Sequence, residues 1–347
     1  MPSIKAYAAS QAGGALAPFQ IDRREPGPND VTIDIHFCGI CHSDIHQVKD
    51  EWGGSAFPMV PGHEIAGRIS RVGAKVKKFK VGDSAGVGCF VDSCRKCAHC
   101  KNGEEQYCTV HTAFTYNSTE MDLQTPTYGG YSSSIIVNEN YALKIPPKMP
   151  LERAAPLLCA GITTYSPLRH WKVKKGDRVG VLGLGGLGHM AVKLAASIGA
   201  DVTVFSTSKT KENDARKLGA NRFVLTIGSE PIYKKGFEYD FMIDTIAAPH
   251  NVNPYLESLR PEGTMVLVGA SPKPLDVEPF SVIMGRKTLA GSIIGGIPET
   301  QEMLNYCAKT NVLSDVEVIS ASEINRAYQR AVTGDVRYRF VIDTKTL

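Results

Sequence analysis

An α/β fold, with a doubly wound parallel sheet joined to a mainly β region, is predicted by three observations. Residues 178–211 read as strand, glycine turn, helix and strand, with Gly183-Leu184-Gly185-Gly186-Leu187-Gly188 at the turn. β-rich runs recur at 223–226, 241–245 and 265–268, with Gly, Pro or helical segments between them, which predicts a parallel sheet over 153–292. Residues 1–74 differ: short alternating runs sit between turn residues, as in Val31-Thr-Ile-Asp-Ile-His36, where Val31, Ile33 and Ile35 share a face.

The turn carries G-x-G-x-x-G between a strand and a helix, the context a dinucleotide pyrophosphate requires. Gly183 permits the tight turn, Gly185 lets the ligand approach main-chain N–H groups, and Gly188 lets the helix pack close to the sheet. The helix N-terminus then offers unsatisfied donors to the anion. Leu187, Ala191, Leu194, Ala195 and Ile198, at helical spacing, predict the buried stripe of that helix.

The chain has 347 residues, 43% hydrophobic and 21% charged, with a net charge of +4, which describes an ordinary globular protein of two domains. Dispersed Lys and Arg argue against a nucleic-acid or membrane surface. The first residues lack the apolar core of a signal peptide, and no apolar run reaches the ~20 residues of a membrane span, so a cytoplasmic location is expected. For nine cysteines in such a chain, metal binding is the better reading than disulfides.

Two stretches crowd metal-capable and proton-carrying groups together. Cys38-Gly-Ile-Cys41-His42-Ser43-Asp44-Ile45-His46 reads as one turn, and Pro61-Gly62-His63-Glu64 follows shortly after. Next, Gly82-Asp83-Ser84-Ala85-Gly86 matches G-x-S-x-G. A nucleophile elbow needs a helix leaving it, and Val87-Gly88-Cys89-Phe90-Val91 has no helical period, so a strand-joining turn is expected. Cys94-x2-Cys97-x2-Cys100-x7-Cys108 is a structural zinc pattern: four thiolates close a tetrahedral shell and leave no position for substrate. His99 between them is read as an exposed neighbour. Residues 114–127 are polar and turn-rich with no clear element, and 151–165, which carries Cys159, reads as helical. The segment to Arg339-Phe340-Val341-Ile342 returns to mixed signals that could pack back on the first domain.

Gly39-Ile-Cys41-His42-Ser43-Asp44, Gly62-His63-Glu64, the four-cysteine lobe, Leu158-Cys159-Ala160-Gly161 and the glycine turn occur in the order seen in zinc-dependent medium-chain alcohol dehydrogenases. The chain most resembles the cinnamyl alcohol dehydrogenase branch, and within it bacterial broad-specificity NADPH-dependent aldehyde reductases. The likeness runs from end to end, through Ile297-Pro298-Glu299-Thr300 to Tyr338-Arg339-Phe340. It implies a GroES-like, mainly β catalytic domain over 1–152 and 293–347, and a Rossmann NADP-binding domain over 153–292. It also implies a homodimer formed through the nucleotide domains.

By that resemblance Cys41, His63 and Cys159 hold a catalytic Zn²⁺, the Cys₂His set known for alcohol dehydrogenases, giving two zincs per chain. Glu64 approaches the metal in ligand exchange, and Asp44 orients a ligand or the bound water. Ser43 and His46 form the proton relay; from the residues alone, Ser43, Asp44 and His46 read equally as loop polars. His42 lies near the pyrophosphate and Thr163 on the nicotinamide side. Ser43, Leu184, Gly186, Leu187, Val268, Gly269 and Ile293 join the cofactor contacts. Trp52, Phe114 and Ile293 line the substrate pocket. His36, His111, His170, His189 and His250 are read as structural.

The second strand's end argues for NADP(H) over NAD(H). NAD sites place an acid there, but Ser206-Thr207-Ser208-Lys209-Thr210-Lys211 supplies hydroxyls and cations, and Asp201 is read as preceding the strand. Ser206, Thr207 and Lys211 match the family's NADP contacts. Ile293 departs from the aromatic residue of plant lignin enzymes, which favours a broad reductase of aromatic and medium aliphatic aldehydes over a cinnamyl alcohol specialist. The competing readings are a zinc-free quinone or enoyl reductase, which lacks such ligand cysteines, a serine hydrolase, and an NADPH-binding zinc protein with a structural or redox-sensing role.

Overall fold

The computed structural model describes residues 4–226 and 238–347. They form two compact units, Met1–Ile162 with Gly295–Leu347, and Thr163–Ile294.

The first unit is built round the strand Asp30–Gly39, in which Val31, Ile33 and Ile35 are buried on the shared face that their alternation predicts. Ile65–Val72 pairs antiparallel along one edge; Ser134–Asn138 and Arg339–Asp343 share the other. Ser84–Val87 and Leu143–Lys144 extend the sheet, and Val316–Ser320 lies parallel to Arg339–Asp343. Gly82 takes φ 92° and Ser84 opens a strand, so the G-x-S-x-G match sits at a strand-joining turn.

Two local expectations are corrected. The 38–46 stretch is not a simple turn: His42–Val48 is a helix capped by Cys41, whose N–H the Asp44 carboxylate accepts at 2.8 Å. Cysteine is not among the usual cap residues, and the helix is too short for a clear period. The 151–165 helix is broken. Leu151–Ala154 runs into a 3₁₀ turn, Ala155–Leu158, before the helix Ala160–His170. Pro156 lacks the N–H that an unbroken helix needs, and Cys159, at φ −129° and ψ −70°, occupies the break. The 114–127 stretch is turns and bends, as expected, apart from Phe114, which ends the strand Thr112–Phe114 paired with Phe90–Ser93, and an isolated bridge between Thr119 and Pro126.

The second unit is an all-parallel six-stranded sheet. Its order is Arg222–Leu225, Asp201–Ser206, Arg178–Leu182, Tyr239–Asp244, Leu259–Leu267, Thr288–Gly291. The order in which strands are added reverses between Arg178–Leu182 and Tyr239–Asp244, which pair parallel; this is the switch point where ligands bind such sheets, at the carboxyl ends of the strands. Asp201 does not precede its strand but opens it, paired with Arg222 at 2.5 Å. The helix Gly186–Ile198 buries Ala191, Leu194 and Ala195, but also His189, Met190 and Val192, while Leu187 and Ile198 are only half-buried. Its buried face is wider than the predicted stripe because a neighbouring helix, Glu212–Leu218, packs beside it as well as the sheet.

Candidate active site

In the first unit the capped helix, the loop before Ile65–Val72 and the break at Cys159 bring four side chains together. The ligand atoms of Cys41, His63, Glu64 and Cys159 all lie within 4.8 Å of one another, and all four residues are buried. Cys41 Sγ and Cys159 Sγ are 3.9 Å apart. Two sulfurs on one zinc at about 2.3 Å, at the tetrahedral angle, are separated by about 3.8 Å, whereas a disulfide needs about 2.05 Å. The donor set and its spacing therefore fit a zinc ion, and none of the nine cysteines is in a disulfide. The hydrogen bond between the two sulfurs pulls Cys41 well below the ordinary thiol range and pushes Cys159 well above it.

Asp44 organises this cluster. Fully buried, it accepts from Gly62 N–H at 3.2 Å, His63 Nδ1 at 3.2 Å and the Tyr131 hydroxyl at 3.1 Å, besides its cap bond to Cys41. The bond at Nδ1 orients the His63 ring and leaves the Nε2 lone pair for a metal. Burial opposes an imidazolium at His63, but the Asp44 charge outweighs it and raises the pKa well above the ordinary value. The ring also stacks on Tyr116, centroids 5.7 Å apart. Glu64 is paired through Oε1 with Arg339, while Oε2 has no hydrogen-bond partner among the described residues. Burial pushes Glu64 up to about 7, against the pull of Arg339.

Ser43 Oγ lies 3.6 Å from Cys41 Sγ. His46 is held at Nδ1 by Glu51, a partner that sequence reasoning did not name, and its ring stacks on Trp52 at 4.8 Å. Arg339, Tyr116 and Tyr131 are likewise additions from the structure. Arg339 left one signal, a cation inside a β-rich run. Trp52 and Phe114 are each 41% exposed in the first unit, and Ile293 is 50% exposed in the second.

The four-cysteine lobe forms its own cluster, with ligand atoms within 4.8 Å of one another. Sulfur separations are 3.5 Å for Cys97–Cys100, 3.8 Å for Cys94–Cys100 and 4.0 Å for Cys97–Cys108, again the edges of a tetrahedron. Backbone N–H groups stabilise the thiolate form: those of Cys100 and Thr109 bring Cys97 down to about 5. His99 points away, exposed and bonded to Glu104 at 3.0 Å.

In the second unit Gly183 takes φ 84°, and a Cβ on Gly188 would sit 2.2 Å from the Gly183 carbonyl oxygen. Neither position tolerates a side chain. Space is open above Gly185, which caps the helix. Leu184 buries its side chain, so only its backbone faces a ligand. Lys211 Nζ donates to the Leu184 carbonyl at 2.9 Å, which brings the cation at the second strand's end onto the turn. Ser206, buried, closes that strand. At the end of Leu259–Leu267, Val268 and Gly269 donate their N–H groups to the Asp244 carbonyl at 2.9 and 3.0 Å. Thr163 is buried, while His42, in the first unit, is exposed at the start of the helix His42–Val48, where desolvation by the surrounding chain lowers its pKa.

The family profile of the alcohol dehydrogenase GroES-like domain matches residues 27–147, and that of the zinc-binding dehydrogenases matches 186–309. The chain is 53% identical to NADP-dependent alcohol dehydrogenase C 1 of Mycolicibacterium smegmatis, across 100% of this chain and 99% of that protein. It is 52% identical to the aldehyde reductase YahK of Escherichia coli, covering 99% of each. Among solved structures, a cinnamyl alcohol dehydrogenase of Sorghum bicolor superposes with a TM-score of 0.96 at 42% identity, over 99% of this chain and 98% of that one. The CAD of Helicobacter pylori, in complex with NADP(H), gives a TM-score of 0.93 at 44% identity over the same shares. A medium-chain dehydrogenase fold, a zinc-type donor set and relatives half identical from end to end agree: this chain belongs to the zinc-binding alcohol dehydrogenases.

Proposed function

We propose that this chain transfers hydride between NADP(H) and an aldehyde or primary alcohol, and works mainly as a reductase of aromatic and medium aliphatic aldehydes. The observation that carries this is the buried convergence of Cys41, His63 and Cys159 on one point, two sulfurs and an imidazole being a donor set that suits zinc. A zinc ion there supplies Lewis acidity toward a carbonyl oxygen, and the nicotinamide supplies or accepts the hydride.

The remaining work falls to the chain's own groups. Asp44 fixes the His63 ring through Nδ1, and the Asp44 bonds to Cys41 N–H and Gly62 N–H lock the two segments that present the donors. Ser43 holds the alcohol proton and passes it to His46 Nε2, which is buried and has no hydrogen-bond partner among the described residues, while Glu51 secures the opposite nitrogen. Glu64, with its Oε2 unpartnered among the described residues, is the further carboxylate that would be available to a zinc ion there. In the first unit Trp52 and Phe114 serve the substrate and His42 the cofactor; in the second unit Ile293 serves the substrate and Thr163, Val268 and Gly269 the cofactor.

Preference for NADP(H) rests on Ser206, Thr207 and Lys211, at a strand end where a ribose-binding acid would otherwise stand. A second zinc belongs to Cys94, Cys97, Cys100 and Cys108, where it holds the lobe. The active form is a homodimer. The apolar side chains of Phe280, Ile283 and Met284, 71%, 63% and 79% exposed, and the edge strand Thr288–Gly291 support a second copy on the nucleotide unit.

Consumption of NADPH and NADH with a panel of aldehydes tests this reading. Turnover of benzaldehydes and medium aliphatic aldehydes, with kcat/KM clearly higher for NADPH, is expected. Equal values for the two cofactors would remove the NADP assignment, and one strongly preferred polyol or sugar would remove the substrate class.

A further inference from the structure

His250, which the sequence reading leaves as structural, sits in the loop after Tyr239–Asp244, on the carboxyl side of the sheet's switch point. Its Nε2 lies 2.9 Å from Asp244 Oδ2 and its Nδ1 lies 2.8 Å from the Ala248 carbonyl oxygen. Both partners accept hydrogen bonds, so both ring nitrogens must donate, and only the imidazolium does that. Asp244 is buried, and its other oxygen accepts from Ile246 N–H at 3.0 Å. The carboxylate thus ties both ends of the loop.

This loop underlies two stretches that the proposed function assigns to the cofactor. Thr245 Oγ1 donates to the Leu182 carbonyl at 2.7 Å, and Thr245 and Ile246 lie against Gly183, 3.1 and 3.2 Å from where its Cβ would be. The Asp244 carbonyl accepts from both Val268 and Gly269, and a Cβ on Gly269 would strike the Ile246 backbone at 2.4 Å. Glycine turn, loop and strand end therefore form one packed layer with little slack.

We propose that His250 is a positioning residue for the dinucleotide: by bridging the Asp244 carboxylate to the Ala248 carbonyl it holds the loop on which the 183–188 turn and Val268–Gly269 rest. The proposal rests on the reading that this turn takes NADP(H). Its consequence is a pH-dependent affinity. The hydrogen bond to Asp244 raises the His250 pKa, and among the described residues Asp244 is the charged group that bears on it. Tyr255, on the adjoining helix, is a phenol held neutral by burial and by Asp244. Neutral His250 has one N–H for two acceptors. The support is therefore complete at pH below the ordinary histidine value and is lost as pH rises through the raised one.

The test measures NADPH dissociation constants by fluorescence titration of the zinc-loaded protein from about pH 6 to about pH 9, for wild type and His250→Gln. Wild type is expected to weaken about tenfold across the raised pKa, the worth of one charge-assisted hydrogen bond partly transmitted, while His250→Gln shows no such step. By reciprocity the same coupling must raise the His250 pKa by about one unit when NADPH binds, which NMR titration of the wild-type imidazole reads without any variant. Identical pH profiles in the two proteins, or a His250 pKa unmoved by NADPH, would overturn the proposal. Failure of both proteins to bind NADPH would instead contradict the assignment of the glycine turn.

Discussion

The two sulfur clusters of the first unit answer different problems with related chemistry. The lobe uses four ligands of one kind, crowded into one short loop, half exposed and supported by local N–H donors. The Cys41–Cys159 cluster draws mixed donors from segments as far as 118 residues apart, buries all of them and surrounds them with a polar scaffold. A closed local shell adds stability to a loop with little core of its own, whereas an assembled buried site needs the rest of the fold to exist first. The lobe is therefore expected to matter for folding and the buried cluster for chemistry.

That contrast is broken most sharply by removing one sulfur from each cluster. Cys159→Ala is expected to lower kcat/KM by about 10⁴-fold or more while Tm changes by only a few degrees. Cys100→Ala should do the reverse, with Tm falling by about 10 °C and activity per folded chain staying within a few-fold. Steady-state kinetics and calorimetry on the two variants check this, and a shared phenotype would dissolve the distinction.

The polar scaffold of the buried cluster offers a smaller but still large effect. Arg339→Met leaves Glu64 buried without its cation and is expected to cost about 3 to 5 kcal/mol by urea unfolding. Adding Glu64→Gln should recover much of that loss, because the penalty is the orphaned charge and not the missing contact. In the nucleotide unit, Lys211→Ala is expected to raise KM for NADPH about tenfold and leave that for NADH unchanged. The smallest effect belongs to the lobe's outsider: His99→Ala should shift stability by no more than about 0.5 kcal/mol and leave zinc content unaltered.

Legibility in the sequence followed the range of the interactions. The lobe and the 183–188 turn are local, so spacing and flanking pattern expose their geometry directly, including the need for glycine at Gly183 and Gly188. The alternation of Val31, Ile33 and Ile35 and the repeated β-rich runs likewise forecast both sheets. Nothing local links Cys41 to His63 or Cys159; only the family's motif order joined them. The break at Cys159 was hidden in apolar residues that suit a helix as well as a 3₁₀ turn, with Pro156 the one warning. The helix His42–Val48 escaped because its cap is a cysteine and its partner Asp44 resembled one more loop polar. Long-range partners such as Arg339 for Glu64 and Glu51 for His46 depend on sheet pairing and loop packing, which residue spacing does not encode.

On the proposed function, one zinc ion organises the lobe and another sits where hydride is transferred. Metal analysis of the purified chain, its Cys159→Ala variant and its Cys100→Ala variant, coupled to aldehyde-dependent NADPH oxidation, tests it most directly. The expected result is two zinc ions in the native chain, one in Cys159→Ala with turnover abolished, and one in Cys100→Ala with turnover retained by the folded fraction. A native chain with a single zinc and no turnover, or a Cys159→Ala variant that keeps both metal and activity, would contradict it.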